Sequence, residues 1–104
     1  MPDPARLELA EFYFKEGCRL QTSGDLEGAI AAYKRSIELY PTAEAHTYLG
    51  WSMSMLGRLD EAISECKKAI EIDPDFGNPY NDIGVYLIDL GRPEEAVTWL
   101  KKAT

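Results

Sequence analysis

The 104-residue sequence predicts an all-α fold, an α-solenoid of three helix-turn-helix repeats. Three observations predict it. Two sets of glycines, Gly17, Gly50 and Gly84, and Gly24, Gly57 and Gly91, recur at spacings of 33 and 34 residues. Ala29, Ala62 and Ala96 share that period, and Pro41 and Pro74 are 33 apart. Between these points lie breaker-free stretches of helical length, and no useful stretch alternates with the two-residue period of a strand. One domain is expected over 1–104, with repeats at about 10–42, 43–76 and 77–104 and residues 1–9 extending the first helix.

The elements follow in order. Asp3-Pro4 opens the first helix, expected over Pro4–Ser23, and Gly24 follows it. The second is expected over Leu26–Tyr40 and stops before Pro41. Thr42 is an N-cap for Ala43–Leu56, which Gly57 ends in a left-handed cap. Leu59–Ile72 has Asp60 and Glu61 at its start and Lys67 and Lys68 nearer its end, matching the helix dipole, and Asp73-Pro74-Asp75 stops it. Asn78 caps Pro79–Leu90, with proline at the first helical position. Gly91-Arg92-Pro93 leads into Pro93–Ala103, with Glu94 and Glu95 in its first turn. Short turns favour antiparallel neighbours, giving six antiparallel helices. Gly28, in the first turn of its helix, has no evident reason in the sequence.

The unit is Tyr80-x2-Ile83-Gly84-x2-Leu87 then Ala96-x3-Leu100 in the third copy. It is His46-x2-Leu49-Gly50-x2-Met53, Ala62-x3-Cys66 and Pro74 in the second, and Tyr13-x2-Glu16-Gly17-x2-Leu20, Ala29-x3-Tyr33 and Pro41 in the first. Over residues 10–104 this resembles the tetratricopeptide repeat family, with Glu16, His46 and Cys66 departing from its aliphatic or aromatic columns. The resemblance implies a right-handed superhelix whose first helices line a concave, peptide-holding groove.

Composition narrows the function. Lys and Arg number 11 against 18 Asp and Glu, a net charge of −7, spread as −2, −3 and −2 over residues 1–41, 42–74 and 75–104. Such a surface repels phosphate backbones, so neither nucleic acid nor anionic membrane is an expected partner. No apolar run spans a bilayer and the N-terminus does not read as a signal peptide, so a cytoplasmic location is the default. Two cysteines and one histidine make no metal cluster, and no cofactor is expected. His46 occupies an aromatic column and is expected to pack, and no nucleophile–histidine–carboxylate set is recognisable, so no enzyme is expected. Asp82 and Asp89, two turns apart on one helix face, are expected to be solvated.

A helical projection of the middle unit places Leu49, Met53 and Leu56 on a packing face and Tyr48, Trp51 and Met55 more than 100° away. The second stripe is more than the repeat's own packing requires. The resemblance implies that the groove is lined by Phe14, Cys18, Thr47, Tyr48, Trp51, Met55, Asn81, Val85 and Ile88, edged by Glu11, Glu44, Asp82 and Asp89. Lys15 is the nearby cation, and Leu7 projects onto the same face. The expected ligand is a protein or peptide with basic and apolar residues. Family members that hold chaperone tails grip a terminal carboxylate with Lys, Asn and Arg. The matching positions here are Phe14, Cys18, Tyr48, Asn78 and Asp82, none cationic, so such a tail is not expected. The alternative is a self-assembling module joined through an uncapped C-terminal edge at Val97, Trp99 and Leu100. The N-terminal edge, with Glu16, Arg19 and Ser23, is expected to be a polar cap.

Overall fold

A computed structural model describes residues 3–103; Met1, Pro2 and Thr104, the outermost parts of the expected domain, lie outside the described residues. Six helices follow one another: α1 (Pro4–Ser23), α2 (Leu26–Leu39), α3 (Ala43–Met55), α4 (Leu59–Ile72), α5 (Asn78–Asp89) and α6 (Pro93–Lys102). There is no strand among the described residues. The pairs α1–α2, α3–α4 and α5–α6 stack through α2–α3 and α4–α5, and the first helices α1, α3 and α5 touch lightly along one face.

The turns use the residues the sequence put there. Gly24 closes α1 at φ 91°, and Gly57 and Gly91 are likewise left-handed, a conformation costly for any residue with a Cβ. Asp3 and Thr42 accept from the backbone amides of Ala5 and Ala45. The start of α5 differs from the expected one: it begins at Asn78, so Asn78 does not act as a side-chain cap and Pro79 is buried in the first turn.

The structure also explains Gly28. The Asp25 carboxylate accepts from the Gly28 amide at 3.0 Å and occupies the space a Cβ would need. In the next two repeats the same pair of positions is Arg58–Glu61 and Arg92–Glu95, side chains forked together across one turn. One junction is thus built by two different chemistries.

The core runs along the repeat joints through Tyr33, Leu49, Met53, Cys66, Ile83 and Leu87. Gly17, Gly50 and Gly84 are the close-approach points. Their missing Cβ atoms would meet, respectively, the Tyr33 ring, the Ala62 carbonyl oxygen and the Leu100 side chain. The Ser36 hydroxyl, in a small-residue column, donates to the Ala10 carbonyl at 2.7 Å. Ser52 is fully buried, and its hydroxyl has no partner among the described residues. A buried unpaired hydroxyl costs stability that alanine does not. Ser52→Ala should therefore raise stability by about 1 kcal/mol, a melting shift of about 4 °C, whereas Ser36→Ala should lower it. Thermal melts of both variants check this, and a less stable Ser52→Ala would contradict it.

His46 packs as its column suggests and also carries a polar contact. Its Nδ1–H donates to Glu65 across α3 and α4 at 2.8 Å, and Lys68 adds a second contact to Glu65 at 3.1 Å. Burial would raise the Glu65 carboxyl, but hydrogen bonds from His46 and Lys68 outweigh it and hold the group below its usual value. A carboxyl depressed on folding stabilises the fold above its unfolded value, about 4.3, and loses that contribution as pH falls through the folded value. Glu65→Gln should thus lose stability at neutral pH, with the gap to the unsubstituted protein closing below about pH 4. Urea melts at several pH values measure it, and a gap that widens in acid would contradict it.

Candidate functional site

The molecule measures 44 × 31 × 17 Å, one helix pair thick, so every helix keeps a solvent face. On the first helices that face is apolar. Trp51 is 50% exposed, and Met55, Val85 and Ile88 are similarly open. Leu49 and Met53, on the same helix as Trp51, are buried in the core. The helix is therefore apolar on two sides, one spent on packing and one left to solvent.

The stripe is held by an aromatic series. Phe14 and Tyr48 stand 5.2 Å apart ring to ring, and Tyr48 and Trp51 6.1 Å, edge-on. Tyr33 of α2 lies behind both Phe14 and Tyr48. Its hydroxyl donates to Gln21 Oε1 at 2.6 Å, and Gln21 Nε2 in turn reaches the Met55 sulfur at 3.8 Å. Cys18, Gln21, Thr22, Tyr48, Trp51 and Met55 thereby enclose a pocket of about 150 Å³ between α1 and α3. Gln21 escaped sequence reasoning because a polar residue on the projected face reads as solvated. Only its hydrogen bond to a tyrosine from another helix reveals its place.

Of the other expected lining residues, Asn81 is exposed and Asp82 half-buried. Asp82 has no ion pair among the described residues, and burial pushes its carboxyl up. Thr47 is a correction. It is 3% exposed and its hydroxyl donates back to the Ala43 carbonyl at 2.8 Å, so its side chain is spent on its own helix and is not open to the groove. Among the edge acids, Glu11 is paired with Lys15 at 2.9 Å, and Glu44 is exposed.

A larger pocket, about 520 Å³, opens lower on the same face, between α1, the end of α2 and the start of α3. Leu7, Ala10, Phe14 and Tyr40 line it, with Glu11, Lys15 and Glu44 at its mouth. Leu7 was within reach of the projection. Tyr40 was not, since it follows α2 and enters the furrow only through the α2–α3 turn.

The two ends also depart from expectation. At the C-terminal edge Val97 is exposed, but Leu100 is half-buried against Gly84. Trp99 is half-buried beside Tyr80, with the Lys67 and Lys102 ammonium groups over its ring. Pairing within α5–α6 thus takes up much of the apolar area assigned to self-association. At the other end the Glu16–Arg19 ion pair covers only part of α1, and Phe12 is 55% exposed on the same side. The polar cap is therefore partial, since Phe12 and Leu9 lie one and two turns below it.

No helix among the described residues is long and apolar enough to cross a membrane, and no cluster of three metal-ligating side chains occurs among them.

Two family models described as tetratricopeptide repeat match the chain, over residues 14–75 and 53–104. The chain is 35% identical over 102 residues to the small glutamine-rich tetratricopeptide repeat-containing protein 2 of Mycosarcoma maydis, covering 97% of this chain and 29% of that protein. It thus spans less than a third of that relative. Among solved structures it resembles MamA, with a TM-score of 0.85 and 35% identity over 90% of this chain and 56% of that one. It also resembles the TPR2B domain of yeast Sti1, solved as a pHsp70 complex, with a TM-score of 0.90 and 30% identity over 92% of this chain and 78% of that one.

Proposed function

The chain belongs to the tetratricopeptide repeat family, and from that premise we propose that it is a protein-interaction module holding a partner's segment in the concave furrow of α1, α3 and α5. One observation carries the reading: Trp51, Met55, Val85 and Ile88 form an exposed apolar stripe that packing does not use. A tryptophan at the centre of such a patch is a typical binding anchor. Met55 supplies an adaptable wall, suited to a ligand chosen by pattern.

Charge selects the ligand. Lys15 is already engaged by Glu11, and the half-buried Asp82 carboxyl has no ion pair among the described residues. The groove therefore favours Lys or Arg beside an apolar core. Phe14, Cys18, Tyr48, Asn78 and Asp82 offer no cation to a terminal carboxylate. Titration calorimetry with two synthetic peptides tests this. A basic–apolar peptide should bind, more weakly as salt rises, and an acidic peptide ending in a free carboxylate should not. The reverse preference would refute the reading.

A second reading is favoured by Leu9 and Phe12 on the outer side of α1 and Val97 on α6, apolar residues exposed at opposite ends of the stack. They would join copies end to end. Light scattering across a concentration series tests it: growth beyond the monomer supports it, and a constant monomer mass rejects it.

A further inference from the structure

We propose, resting on the groove reading above, that the furrow between α1 and α3 is a two-pocket site for an extended segment of a partner protein. The segment carries two apolar side chains four residues apart, with Lys or Arg beside the one that enters the lower pocket.

The spacing comes from the helix. The lower pocket lies at the level of Glu11 on α1 and Glu44 on α3, and the upper at the level of Cys18 to Thr22 and Trp51 to Met55. The centres are about nine residues apart along α1, or about 13 Å of helical rise. An extended chain covers about 13 Å in four residues, and residues i and i+4 of a strand point to the same side. One such segment can therefore seat both side chains without bending.

The contact between the two pockets suits an extended ligand. Phe14 and Tyr48, facing each other from α1 and α3, bring their rings to 5.2 Å between the two pockets. An extended backbone crosses that contact and places residues i and i+4 on either side of it, facing the same way.

The two pockets differ in chemistry. The upper one is walled by Trp51, Met55 and Tyr48, with Gln21 fixed by Tyr33 as its back. The lower one has an apolar floor of Leu7, Ala10, Phe14 and Tyr40, wide enough for a leucine or an aromatic ring. At its mouth Glu11 pairs with Lys15, so Glu44 is the carboxylate there left without an ion pair among the described residues. A cation one residue from the lower anchor meets Glu44.

Selection from a random-peptide display library on the unsubstituted protein, Glu44→Lys and Trp51→Ala tests the proposal. Glu44 is exposed, and circular dichroism confirms that each variant folds. The unsubstituted protein should enrich apolar pairs at i and i+4 with Lys or Arg flanking one of them. Glu44→Lys should lose the basic residue from the consensus and weaken the selected peptide about tenfold, and Trp51→Ala should lose the other apolar position. Enriched peptides with a single anchor or a helical i, i+3, i+7 pattern overturn the two-pocket inference alone, as does an unchanged consensus on Glu44→Lys. No enrichment on any of the three overturns the groove reading and this inference with it.

Discussion

Trp51→Ala is expected to weaken ligand binding by about 2 kcal/mol or more, roughly thirtyfold, while leaving the melting temperature nearly unchanged. Leu49→Ala, two residues away, is expected to do the reverse. Leu49 is buried in the joint between repeats, and truncating it removes both burial and packing at a cost of about 2–5 kcal/mol. That is a large share of the roughly 5–15 kcal/mol that holds a small domain folded. The contrast follows from one helix serving two faces. Thermal melts and peptide titrations of both variants check it. Equal destabilisation by the two would make Trp51 core.

The second large effect concerns Gly17. Alanine in mid-helix ordinarily gains about 1 kcal/mol over glycine. Here its Cβ would lie 2.4 Å from the Tyr33 ring, and that ring cannot withdraw. It is fully buried, faces Phe14 and Tyr48, and is tied to Gln21. Gly17→Ala should therefore destabilise by about 1–3 kcal/mol, as overpacking does. It should also weaken ligand binding, because Tyr33 and Gln21 back the upper pocket. Gly84→Ala meets Leu100, a half-exposed side chain on the last helix that can swing outward, and should cost less. Melts of the pair decide it, and a loss at Gly84 larger than at Gly17 would contradict the account.

The helices were legible because their punctuation is local. Gly57 takes the left-handed conformation expected of it, Gly24 and Gly91 at the same period take it too, and every helix boundary falls within one residue of its expected place. The groove was legible only where a stripe belongs to one helix. Trp51, Met55, Val85 and Ile88 are open as the projection implied, while Thr47 is not, because a projection cannot say how far a neighbouring helix wraps around. Tyr40 and Gln21 needed contacts between helices distant in sequence. Gly28 makes sense only once the Asp25 carboxylate is seen in the space beside it. At the ends of the stack, equating Leu100 with Cys66 ignored size. The longer side chain fills the space over Gly84, which the shorter Cys66 shares with Glu65 and Ala62 over Gly50.

The central claim is that the concave face binds. The most direct measurement is an amide chemical-shift titration of the protein with a peptide from the display selection. The account predicts shifts concentrated at Leu7, Glu11, Cys18, Tyr48, Trp51 and Met55, with Ile63, Lys67 and Val97 unmoved. Shifts confined to Ile63, Lys67 and Val97, with Trp51 unmoved, would contradict it.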